Sequence, residues 1–143
     1  MFFKIIGTFY SHERGASAVE FAIVGPVFVL LMMGMIAYGI YFGAVHSVQQ
    51  LAADAARASV AGLDESERIW LAEQFIELNG DDYVLIDQDK LTIKVGKNPE
   101  DSTQFNVMVA YDASDLPIWN LYLPLPVPDS RILRQSTIRI GGI

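Results

Sequence analysis

Cysteine is missing from all 143 residues, which excludes disulfides, thiolate metal sites and a cysteine nucleophile. Histidine is nearly as scarce, with only His12 and His46. With no thiol and so little imidazole, a transition-metal site lacks its usual ligands. Positive charge is also short. Ten basic side chains face seventeen acidic ones, and beyond residue 45 the ratio is eight to fifteen, a net charge of −7 in that part alone. Such a field repels phosphate backbones and argues against nucleic acid as a partner. No G-x-S-x-G, P-loop or dinucleotide fingerprint occurs. Asp81, Asp82, Asp87, Asp89, Glu100 and Asp101 are carboxylates of the kind calcium prefers, but EF-hand spacing is absent and they read as solvated turn acids. The expectation is a chain with no catalytic residues, no metal and no cofactor.

What the chain has instead is a long apolar run. Phe21 to Val45 contains no ionisable residue. As a helix these residues would extend roughly 37 Å, beyond the ~30 Å hydrocarbon core of a bilayer. The run is too long for a cleaved secretory signal, whose apolar part is about 7–15 residues. It reads as a single-pass anchor. Lys4, Arg14 and the amino terminus favour a cytoplasmic N-terminus, with the acidic remainder outside. Within the run, Gly25-Pro26 predicts a kink or local unwinding, because proline lacks an N–H and crowds the carbonyl four residues back. Gly39 and Gly43 form a G-x-x-x-G, which either packs against another helix or reflects the general abundance of small residues in spanning helices.

Glu20 stands at the lip of the run, five residues after Gly15. An acid near a helix N-terminus is favoured by the helix dipole, which accounts for Glu20 but not for its surroundings. The stretch "RGASAVEF" couples a short hydrophilic leader ending in Arg14-Gly15 to small residues, an acid and the apolar run. It resembles a type IV prepilin processing site, where a membrane aspartyl peptidase cuts after the glycine. The wider block "RGASAVEFAIVGPVFVLLMMGMIAYG" is similar to the TadE-like minor pilins, or pseudopilins, of tight-adherence (Flp-type) pili. The matching positions are Arg14, Gly15, Ala18, Val19, Glu20, Phe21, Ala22 and Pro26. The resemblance implies a cut between Gly15 and Ala16, with Glu20 as the fifth mature residue contacting the N-terminus of a neighbouring subunit. Phe21, where small major pilins usually carry tyrosine, and the additional domain point to a minor subunit.

Beyond the run, Val48, Leu51, Ala52, Ala55, Ala58 and Ser59 keep helical spacing, so one helix is expected from about residue 17 to 61. The Ala55-Ala56-Arg57-Ala58 stretch also resembles the TadE-like pattern. Asp54 and Arg57 are spaced to pair on its wet side. Gly62 suits a stop. A second helix is expected from a capping-box-like Asp64–Glu67 to Asn79-Gly80, its apolar face carrying Ile69, Trp70, Ala72, Phe75, Ile76 and Leu78. From Tyr83 the period becomes two. The expected strands are 83–87, 91–95, 105–111 and 136–140, with Gln88, Asp89 and Lys90 turning the first pair into a hairpin. The proline-studded segment 116–129 reads as an extended loop. Its apolar residues Ile118, Trp119, Leu121, Tyr122, Leu123, Leu125 and Val127 either cover the sheet or present a docking surface.

The expected fold is therefore α+β: a long transmembrane helix extending into a small domain, with one further helix on a three- or four-stranded, mostly antiparallel sheet. The expected divisions are a leader at 1–15, a transmembrane helix at 16–45, a stem at 46–62 and an extracytoplasmic domain at 63–143. The resemblance implies a bacterial inner-membrane protein and, beside membrane lipid, four partners. These are a prepilin peptidase, a sister minor pilin, the major Flp-type pilin and the inner-membrane assembly platform. The alternative is a membrane-anchored binding domain whose leader is never cut.

Overall fold

A computed structural model describes residues 13–120 and 126–140 of the chain. Most of the leader, including Lys4 and His12, lies outside the described residues, as do Leu121, Tyr122, Leu123 and Leu125. One helix, α1 (Glu13–Ser59), runs for 47 residues. At 1.5 Å per residue it is about 70 Å long.

The two halves of α1 differ in environment. Almost every side chain from Val19 to Ile36 is exposed on all sides of the helix. From Ala37 onward a stripe goes under cover: Ala37, Tyr41, Ala44, Val48, Leu51 and Ala55 are buried, at alternating spacings of four and three. That spacing keeps one face turned to a neighbour along the whole stem. The alanines in it let α1 approach the sheet closely. The expected span of 16–45 thus includes residues that the head domain itself covers.

Three antiparallel strands form the sheet in the order β1 (Leu91–Lys97), β2 (Gln104–Asp112), β3 (Arg131–Arg139). Central β2 supplies Phe105, Val107 and Val109 to the core, and β3 supplies Ile132. Val107 stands opposite Val95 on one side and Ser136 on the other, which fixes the register that turns the apolar face inward. The stem of α1 lies over β2 and β3, and α2 (Glu65–Asn79) lies beside it over β1. The result is an α+β head at the end of a bare apolar shaft.

Asp64 caps α2, its carboxylate accepting from the Glu67 N–H at 2.8 Å. Glu67 reaches back in turn, but to the N–H of Leu63 at 2.7 Å and not to that of Asp64. Gly62 follows the end of α1 by three residues. A Cβ there would come within 2.6 Å of Arg68 Cγ and 2.8 Å of the Arg68 backbone nitrogen, so glycine permits the close turn between the helices.

Four expectations need correction. Residues 83–87 are not a strand, and Gln88–Lys90 is a 3-10 turn leading into β1 and not a hairpin turn. Tyr83 and Ile86 close a turn through the Ile86 N–H and Tyr83 carbonyl at 3.1 Å, while Leu85 takes φ 66°, which no extended strand tolerates. Trp70, expected in the core, is 57% exposed, and Leu78 is exposed as well. Only the narrow face carrying Ala72 and Ile76 meets the rest of the head, with Ile69 and Phe75 at its margins. The last strand begins at Arg131, five residues before its expected start. The proline segment is not extended throughout, since Pro117–Asn120 forms a 3-10 turn seated on α1. There Ile118 is buried and Trp119 partly so, while Val127 stays exposed.

Candidate functional site

The residues singled out from the sequence all lie on α1. Gly15 and Ala16 fall in its first turn, and Gly15 is exposed. Glu20 is exposed one helical turn beyond Ala16, at the i, i+4 spacing that brings two positions onto one face. Phe21 is 77% exposed. Its ring lies over Gly25, where an added Cβ would make ordinary contact at 3.6 Å. Pro26 sits inside the helix without ending it. An apolar shaft with one acid near its base, exposed all round, is a surface made for something other than water.

Gly39 and Gly43 have different surroundings. Nothing approaches within 4 Å of a Cβ placed at Gly39, whereas one at Gly43 would meet Leu85 Cδ1 at 3.0 Å. The second glycine therefore receives a side chain of its own head domain. At the same level the Tyr38 hydroxyl donates to the Pro126 carbonyl, and the Tyr41 hydroxyl donates to the Asp129 carbonyl at 3.1 Å. Trp119 stands edge-on to Tyr41, ring centroids 6.4 Å apart, and its indole N–H donates to the Ala113 carbonyl at 2.6 Å. This aromatic junction between shaft and head is not among the sites inferred from the sequence. Its trace there is the concentration of aromatics in "YGIYF" (38–42).

Higher on the stem, Asp54 accepts from Arg57 and from the Tyr83 hydroxyl, the latter at 2.7 Å. Burial first, and the hydrogen bond to Asp54 second, hold the Tyr83 phenol well above its ordinary pKa. Several turn acids satisfy backbone donors locally. Asp101 accepts from the Thr103 N–H and hydroxyl, Asp112 from the Ser114 N–H, and Asp81 from the Gln88 N–H. Among the described residues no three His, Cys, Asp or Glu side chains converge as metal ligands do.

Shaft and head together have the form of a domain carried on one long apolar helix. Among the described residues α1 is the one helix long and apolar enough to cross a membrane. A family model described as TadE-like protein matches residues 15–57, a segment lying wholly within α1 and covering under a third of the chain. The segment is TadE-like, as the R-G-x-x-A-V-E-F-A resemblance implies, and the match lies on the helix that has the length and composition to cross a membrane. The family is a structural one of the pilus and not an enzyme family. Neither a curated protein nor a solved structure matches the chain.

Proposed function

We propose that the chain is a minor pilin or pseudopilin of a tight-adherence pilus, processed by a prepilin peptidase between Gly15 and Ala16. The observation that supports this reading is the position of the TadE-like R-G-x-x-A-V-E-F-A stretch at the base of a shaft that carries no buried residue from Val19 to Met33. Before assembly, lipid covers that shaft. During assembly, stems of other subunits replace the lipid: a sister minor pilin, the major Flp-type pilin and the inner-membrane platform. The leader lies in the cytoplasm and the head outside, in keeping with Lys4 and Arg14 ahead of the run and the acidic head after it.

The chemistry of the site follows from its residue types. Glycine at position 15 leaves the scissile backbone unobstructed, and helix ends fray, so the first turn of α1 opens into the peptidase. Cleavage releases a cationic amine at Ala16. Glu20 is the one acid in the exposed apolar region beyond that amine. An unpaired carboxylate there is costly in lipid, and pairing with the new terminus of a neighbouring subunit relieves that cost and selects the register of the stems. Gly39, with open space at its Cβ, suits close approach of such a stem.

Intact mass of the membrane-extracted protein, with and without the host's prepilin peptidase, tests the reading. Peptidase-dependent loss of residues 1–15 is expected. Gly15→Val should retain the leader, while Glu20→Ala should be cut normally yet fail in pilus assembly. A full-length mass beside a peptidase shown to be active on another prepilin would leave an anchored binding domain and no pilin.

A further inference from the structure

We propose that the underside of the head is a lipid-docking surface, in which Phe42, Val84, Leu85 and Val127 seat the domain in the outer interface of the bilayer. Two loops grip α1 where it emerges from the head. Leu85 lies against Gly43, and the carbonyl of Pro126, next to Val127, accepts from Tyr38. Tyr38 and Gly43 project about 140° apart on a helix of 3.6 residues per turn, so the loops hold the helix from different sides. Phe42 falls between them, its ring 6.2 Å from that of Tyr38. Around this exit the apolar side chains stay open: Val84 is 73% exposed, Phe42 61% and Val127 56%.

Helix length places that rim at a membrane boundary. About 20 residues cross the ~30 Å hydrocarbon core. Counted outward from Phe21, the first residue after Glu20, the core ends near Ile40. Tyr38, Tyr41 and Trp119 then lie at the level where amphipathic aromatic rings favour the bilayer interface. Among the apolar residues from 41 to 45, more than a span requires, Phe42 faces outward and belongs to this seat, while Tyr41 and Ala44 are buried in the head. Leu85 retains φ 66° there, a backbone state that a β- or γ-branched residue seldom adopts in a free loop.

Charge does not supply the attraction. Asp82 lies beside the groove that Val84 lines, Asp129 joins the Tyr41 contact, and the chain's net charge is −7. Insertion of apolar side chains is the driving force. A zwitterionic bilayer therefore suffices, and salt does not release the head.

The two tryptophans make the test direct. Trp119 is at the junction, whereas Trp70 lies near the Gly62–Arg68 turn at the far end of the stem, roughly 25 Å away along a 1.5 Å-per-residue helix. The full chain is reconstituted in phosphatidylcholine vesicles carrying lipids brominated just below the headgroup or near the chain end. In a Trp70→Phe variant the shallow label should extinguish most of the remaining emission and the deep label little. In a Trp119→Phe variant neither label should matter. A double Val84→Ser, Val127→Ser change should restore Trp119 emission and shift it to the red while the chain still floats with the vesicles.

If Trp119 emission ignores the shallow label, or stays quenched in the double variant, lipid docking through this rim is overturned. The proposal rests on membrane anchoring and not on leader removal. A chain that fails to float would overturn the anchoring, and a floating chain with unquenched Trp119 would overturn the rim alone.

Discussion

Ala52 has no exposed surface, and it lies in the stripe where α1 meets the core. Its small size limits how far the stem stands from the elements packed on it, so a larger side chain must push them apart. Ala52→Leu should destabilise the head by about 1–3 kcal/mol, measured by denaturant unfolding in mild detergent. Unchanged stability would show that the layers have slack. Tyr83 works in a different way, linking the turn after α2 to the stem through Asp54. Its phenol is held above the ordinary value of 10.0, chiefly by burial. A group whose folded pKa is raised contributes stability that is fully present below the unfolded pKa and is lost as pH rises through the folded one. Melting temperature should therefore fall above pH 10, and Tyr83→Phe should lessen that fall. An equal alkaline loss in the variant would put the sensitive group elsewhere.

At the scale of elements, α2 depends on its first turn. The Asp64 carboxyl is held below its ordinary value of 3.8, mainly by the Ser66 hydroxyl and then by the Glu67 N–H. A depressed folded pKa gives stability that exists above the unfolded value and disappears as pH falls through the folded one. Asp64→Ala should lower the melting temperature by a few degrees at neutral pH. Below the acid transition, thermal melts of wild type and variant should converge, and a constant gap down to that pH would remove the carboxylate from the explanation. The cap was legible because it is local: four consecutive residues contain the acceptor, the donor and the reciprocal glutamate. β1 and β2 were legible because their alternation runs long enough to be unambiguous. The five residues 83–87 were not, since two apolar side chains three apart satisfy a turn as readily as a strand. The first half of β3 hid behind Arg131, Arg134 and Gln135, which give no apolar alternation to read. Trp70 misled for a related reason. An aromatic beside a buried stripe counts as core in sequence, although a 100° step along the helix turns it out to water.

For the whole molecule, the TadE-like segment was readable because its pattern rests on a few adjacent residues and the apolar run that follows them. The division between shaft and head was not. Apolar side chains left exposed and those that face a protein core look alike in sequence, and α1 passes from exposed to covered at Ala37 within one uninterrupted apolar run. The structure makes that division a thermodynamic claim. Residues 19–33 add no buried side chain to the core, whose first member is Ala37. Cooperativity follows shared burial, so the shaft should not belong to the unit that melts. A chain starting at Gly34 should keep the melting midpoint and denaturant slope of the full protein in the same detergent. The unchanged slope matters as much as the midpoint, because it reports the surface exposed on unfolding. A lower midpoint with a smaller slope would mean that shaft and head unfold as one body. In that case the helix dipole and the continuous hydrogen-bond ladder would couple the anchor to the head, and replacement of lipid by neighbouring stems would be felt directly in the sheet.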